Sequence, residues 1–114
     1  MISSAGVTTL ARALRGLTRL NDEISRRKIV QSERFETGVI AFRPRSSSGP
    51  NAIVHEDKDV VCYVLRGRGR LRLEGRRIPL APGAICHIPK GTRHDFAAAK
   101  ANRLMLLYTI IERA

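Results

Sequence analysis

A chain of 114 residues is long enough for one domain with a single core. Hydrophobic residues make up 43% of it, and no apolar run approaches the roughly 18 to 20 residues of a membrane span, so a soluble globular protein is expected. The net charge of +11 comes chiefly from arginine, since Lys28, Lys58, Lys90 and Lys100 are the only lysines among 21 basic residues, and such a field favours anionic partners.

From Val7 to Leu20, the apolar residues Val7, Leu10, Leu14, Leu17 and Leu20 recur at three and four while Arg12, Arg15 and Arg19 take other faces, which predicts an amphipathic helix. Ser3, Ser4 or Thr8 is the expected cap, and Asn21-Asp22 the expected end. The first 21 residues carry no acid, as in an organelle-targeting peptide, but packing of the leucine stripe on a barrel or a second subunit is the more economical reading. The chain then divides into a helical segment, 1–28, and a barrel, 29–114.

Ile29 to Gln31 and Thr37 to Arg43 read as the opening strands, followed by a proline, glycine and serine loop from Pro44 to Asn51. Further strands are expected at Ala52 to His55, Val60 to Arg66, Arg70 to Leu73, Arg76 to Leu80, Ala84 to Ile88, His94 to Ala98 and Leu104 to Ile111. Many short strands between glycine and proline turns indicate an all-β sandwich or barrel. Cys62 and Cys86 both fall in strands; without a secretory signal they read as reduced core residues in a cytoplasmic protein.

Arg66, Arg68, Arg70 and Arg72 share one strand parity, opposite Leu65, Leu71 and Leu73, which makes a basic face. Its plain reading is a solvated outer face paired with Glu33, Glu36 or Glu74. Nucleic-acid binding usually adds stacking platforms, and two tyrosines, three phenylalanines and no tryptophan argue against that partner.

The most specific pattern lies between Gly83 and His94: glycine, five residues, Pro89, one residue, Gly91, two residues, histidine. Pro82-Gly83 supplies a type II corner and Pro89 to Gly91 turns the chain again. This run resembles the second signature motif of the cupins, with Ala98 in place of the family's closing asparagine. Upstream, Tyr63-Val64-Leu65-Arg66-Gly67, followed by Leu71-Arg72-Leu73-Glu74-Gly75, is similar to the end of the first cupin motif. Two registers remain for that motif. With Gly67 as its glycine, which keeps the Tyr-Val-Leu run in phase, His55 stands for the second histidine, Ile53 for the first and Val60 for the glutamate. With Gly49 and Gly69 as its ends, His55 is the first histidine, Asp57 replaces the second and Cys62 the glutamate.

The resemblance covers residues 37–110 and implies a single-domain jelly-roll barrel. It also implies one divalent transition metal (Fe, Mn, Ni or Zn), anchored by His94 with His55 and completed by water, Asp57 or Cys62. A small, anionic metabolite would enter the open end, where Arg43, Arg45 or Arg93 holds a carboxylate; His87, in the strand before Pro89, is a further candidate that reads more simply as a buried histidine bonded to backbone. The catalytic residues and the reaction stay open, because one fold hosts many chemistries. The alternative is a non-enzymatic sensor or dimerisation cupin whose metal site has decayed, which Val60 in the glutamate's place favours. The leucine stripe and the apolar run Leu104 to Ile111 exceed what one small barrel covers, so a homodimer is expected.

Overall fold

Strict alternation decides how this chain folds. In the strand Lys58–Arg66, Val60, Cys62 and Val64 are buried while Val61 and Tyr63 are exposed, and in Leu104–Glu112 the buried set is Leu104, Leu106 and Tyr108. Side chains two apart share a face, so each such strand contributes one apolar face to a common interior. The structure, a computed structural model, describes residue 2 and residues 5–44 and 57–112.

Among the described residues, nine strands form two antiparallel sheets: β1 (Thr18–Arg19), β2 (Ile24–Gln31), β3 (Phe35–Phe42), β4 (Lys58–Arg66), β5 (Gly69–Leu73), β6 (Arg76–Leu80), β7 (Ile85–Ile88), β8 (His94–Ala98) and β9 (Leu104–Glu112). Six of them run in the order β1-β2-β3-β9-β4-β7, and the other three as β6-β5-β8. Their inner faces share one core, in which Val64, Leu104 and Leu106 of the larger sheet meet Leu71, Leu80 and Phe96 of the smaller. Leu104 and Leu106 are 0% exposed, and burial of each contributes about 2 kcal/mol. This is the all-β jelly-roll barrel expected from the sequence, with one short helix at its amino-terminal end.

The two corners of the Gly83 to His94 run are built as anticipated. The Ala84 N–H donates to the Ala81 carbonyl with Gly83 at φ 94°, and the Thr92 N–H donates to the Pro89 carbonyl with Gly91 at φ 75°. Each turn places a positive φ at its third residue, where glycine carries no steric cost.

The amino-terminal segment departs from expectation. The helix, α1, spans only Leu10–Arg15: Thr9 Oγ1 accepts from the Arg12 N–H at its start, and the Gly16 N–H donates to the Ala13 carbonyl at its end. Thr9, not Thr8, is therefore the cap, and Ser3 and Ser4 lie outside the described residues. Beyond Gly16 the chain extends into β1, and Asn21 Oδ1 accepts the N–H groups of Glu23 and Ile24, closing a β1–β2 hairpin. A side-chain turn at Asn21 thus replaces the expected helix end. β2 accordingly starts at Ile24, inside the segment read as helical.

The carboxyl-terminal strand also differs from its reading as surplus surface. β9 sits between β3 and β4 near the middle of the larger sheet, so Leu104, Leu106 and Tyr108 fill the interior. Arg70 and Arg72 lie on the face of β5 opposite Leu71, as the parity requires, and Glu36 pairs with Lys28 rather than with either. Among the described residues, no helix is long and apolar enough to cross a membrane. The expected strand Ala52 to His55, and the loop before it from Arg45 onward, lie outside the described residues.

Candidate ligand cavity

The two sheets do not close completely on each other. Between them lies a cavity of about 140 Å³. Its apolar wall is Ile40, Phe42, Val60, Phe96 and Leu106; Arg26, Cys62, His94 and Tyr108 bring polar groups. The strand register explains this set. Arg26 pairs with Ile40 across β2–β3 and Ile40 with Leu106 across β3–β9, so the three form one row on the inner face. The next row runs Gly38, Tyr108 and Cys62. Phe42 and Phe96, with ring centroids 5.5 Å apart, join the two sheets at the cavity wall.

His94 opens β8 directly after the Pro89 turn and is 4% exposed. Its Nδ1 lies 3.1 Å from the Thr92 carbonyl oxygen. A carbonyl only accepts, so in the neutral ring Nδ1 carries the proton and Nε2 the lone pair. The ring also meets Phe96 edge-on at 6.1 Å.

Tyr108 donates its hydroxyl proton to Glu36 Oε2 at 2.5 Å, and Lys28 Nζ lies 3.7 Å from Glu36 Oε1. The ring reaches Glu36 by crossing Gly38, where a Cβ would stand 2.7 Å from the tyrosine oxygen. Burial, then the hydrogen bond and charge of Glu36, push the phenol well above its ordinary range, against a smaller opposing effect of Arg26. The phenol therefore stays protonated. Arg26, half-buried, forms no ion pair with a described residue.

Cys62 and Cys86 face each other across β4 and β7, both buried and both free thiols. Burial, with a smaller contribution from Cys86, pushes the Cys62 thiol up to about 12, and burial raises Cys86 as well. Both are protonated at neutral pH, as the sequence reading as reduced core residues requires.

Of the residues singled out from sequence, the structure brings His94 and Cys62 to one cavity. His55 and Arg45 lie outside the described residues. Asp57 stands exposed in the turn before β4, and Arg43 and Arg93 are exposed beyond the end of β3 and before β8. His87 corrects the expectation of burial: it pairs with Val61 on the outer face of β7 and is exposed, because Cys86 and Ile88 take the inward parity. Arg26, Tyr108 and Glu36 were not anticipated. The available signal for Tyr108 was a polar handle at inward parity in the apolar run of β9.

The implied metal can be tested against this donor set. Whichever register holds, the glutamate's place falls on the cavity wall, at Val60 or Cys62, and carries no carboxylate. Among the described residues no group of three His, Cys, Asp or Glu side chains could hold a metal ion. His94 and Cys62, two donors, do not by themselves make a metal site.

The sequence model of one protein family, the cupin domain, matches residues 38–110. Among solved structures, KdgF from Halomonas sp. superposes with a TM-score of 0.77 at 19% identity, covering 96% of each chain. TT1209 from Thermus thermophilus gives 0.74 at 28% identity, covering 95% of this chain and 98% of that one. A predicted oxalate decarboxylase from Thermotoga maritima gives 0.70 at 23% identity, covering 86% of this chain and 85% of that one. No curated protein sequence matches the chain.

Proposed function

The chain belongs to the cupin family, and from that premise we propose that its barrel binds a small anionic metabolite whose charge meets Arg26. One observation carries this reading: a half-buried guanidinium without an ion-pair partner among the described residues borders an otherwise largely apolar cavity. Such a group is costly to desolvate alone, and a carboxylate offsets the cost through paired, charge-assisted hydrogen bonds. The volume, about 140 Å³, is close to that of a cavity of about 150 Å³ that takes up benzene, so the ligand has on the order of six to eight non-hydrogen atoms.

Isothermal titration with butyrate and its neutral isostere butyramide tests this. Butyrate should bind at least about tenfold more tightly than butyramide, and Arg26→Gln should abolish the difference. Equal binding of the two, or an anion preference that survives Arg26→Gln, would remove Arg26 from the site.

The hydrogen bond from His94 Nδ1 to Thr92 favours a second reading, because metal-bound histidines commonly donate their other ring N–H to a carbonyl in this way. Here His94 and His55 anchor one divalent transition metal, with water or Cys62 completing the shell. Elemental analysis of untagged protein beside His94→Ala and His55→Ala decides it: stoichiometric metal lost in both variants supports the site, and no metal after reconstitution removes it.

We further infer that the barrel is a homodimer joined through the outer face of β4, β7 and β9. In a molecule of net charge +11 the rows Ile85-Tyr63-Leu107 and His87-Val61-Thr109 hold no Lys, Arg, Asp or Glu. Ile85 is 73% exposed and Tyr63 43%. Charge depletion with aromatic and aliphatic content marks interface cores, and two copies so strongly charged approach most readily through an uncharged face.

A further inference from the structure

We propose that the ligand of this cavity is a small hydroxy acid, whose carboxylate is held by Arg26 and whose hydroxyl donates a hydrogen bond to Tyr108 Oη. The inference rests on the anion reading above and narrows it to one chemical class.

The argument is a count of protons. Tyr108 has one hydroxyl proton, and it goes to Glu36 Oε2. Glu36 has Lys28 Nζ 3.7 Å from its other oxygen, so Oε2 remains the atom that accepts from the tyrosine. Gly38 makes the arrangement possible, since a side chain there would occupy the path of the ring. The phenolic oxygen of Tyr108, a residue of the cavity wall, therefore has lone pairs for a ligand and no proton. Arg26 offers the reverse, donors in a planar fork and no acceptor.

The rest of the wall is largely apolar, with Ile40 and Leu106 in the Arg26 row and Phe42, Val60 and Phe96 beside them, and His94 and Cys62 as its other polar residues. The complementary molecule accepts at one end, donates at another and is hydrocarbon between. A simple carboxylate satisfies Arg26 and leaves the Tyr108 lone pairs desolvated. An oxo acid does worse, because its carbonyl oxygen meets an oxygen that has no proton to give. A hydroxy acid satisfies both, and an unmatched buried polar group discriminates between ligands more strongly than a matched one attracts them.

The experiment is isothermal titration of the full chain with four acids of nearly equal size: butyrate, 2-hydroxybutyrate, 3-hydroxybutyrate and 2-oxobutyrate. At least one hydroxybutyrate should bind about tenfold more tightly than butyrate and 2-oxobutyrate. Tyr108→Phe should bring the ratio of hydroxybutyrate to butyrate affinity to within about twofold. If that variant does not fold, the comparison in the unaltered protein decides alone. Binding that depends on Arg26 but is no tighter for either hydroxy acid overturns this inference and leaves the anion reading standing. A hydroxybutyrate advantage that persists in Tyr108→Phe also overturns it. Failure of every acid to bind, or binding indifferent to Arg26→Gln, overturns the anion reading itself.

Discussion

Tyr108 of β9 and Glu36 of β3 lie diagonally across the larger sheet, and their 2.5 Å hydrogen bond passes over Gly38, the residue that pairs with Tyr108 in the ladder. A methyl group at position 38 would meet the Arg27 carbonyl oxygen on one side and the tyrosine oxygen at 2.7 Å on the other. Gly38→Ala should cost about 2 to 3 kcal/mol, as overpacking does when backbone cannot yield. Urea unfolding measures the cost, and loss of the hydroxy-acid preference in the surviving folded protein would show the tyrosine displaced.

Arg26 sets stability against binding. Replacing a half-buried guanidinium that has no ion-pair partner among the described residues by an apolar chain of similar reach removes a desolvation cost. Arg26→Met should stabilise the ligand-free protein by about 1 kcal/mol while abolishing the preference for butyrate over butyramide. Thermal melting of the ligand-free variant checks the first half, and a fall in Tm would show that Arg26 has a structural partner.

Alkaline pH should weaken the fold from about 9 upward. In the unfolded chain the Cys62 thiol ionises near 9.0, and in the barrel burial defers this to about 12. Below the first value both states keep the proton and stability is level. Between the two only the unfolded chain releases it, so stability falls by about 1.4 kcal/mol per pH unit for this group. Tyr108, whose ordinary value is 10.0, adds a decline of the same sign at higher pH. Unfolding midpoints between pH 8 and 11 should show the decline, and Cys62→Ala should make it shallower even though the truncation lowers stability throughout.

The dimer inferred from the uncharged face predicts a solution mass of twice 12.7 kDa. Ile85, the most exposed large hydrophobic residue of that face, can be charged without touching the core. Ile85→Lys should therefore give a monomer by light scattering with unchanged circular dichroism. A parent protein at the monomer mass at micromolar concentration refutes the interface.

Most strands were legible because their alternation is local: the buried set of β4 or β9 can be read from a handful of consecutive residues. The turns around His94 were legible because proline and glycine dictate them. The β1 hairpin was not, since the leucine and arginine spacing around Leu17 fits a helix equally well, and the choice fell to the Gly16 stop and the Asn21 side chain. Within the cavity, His94 was found through its motif. Arg26 was hidden in the run Arg26-Arg27-Lys28, which reads as solvated until register shows which member faces Ile40. Tyr108 and Glu36 stand 72 residues apart, and no local pattern announces such a pair.

The place of β9 has a bearing on how the protein comes into being. The larger sheet consists of β1, β2 and β3 on one flank and β4 and β7 on the other, and in the described ladder the last strand is what joins them. During synthesis the two flanks emerge first and wait, with the hydrogen-bonding edges of β3 and β4 unclaimed, until residues 104–112 clear the ribosome. Both edges are then sealed by the same insertion, which links positions far apart in the chain and so makes a late, slow step. A transcript cut short just before β9 would yield two unjoined half-sheets with open edges, the kind of product that aggregates or is degraded.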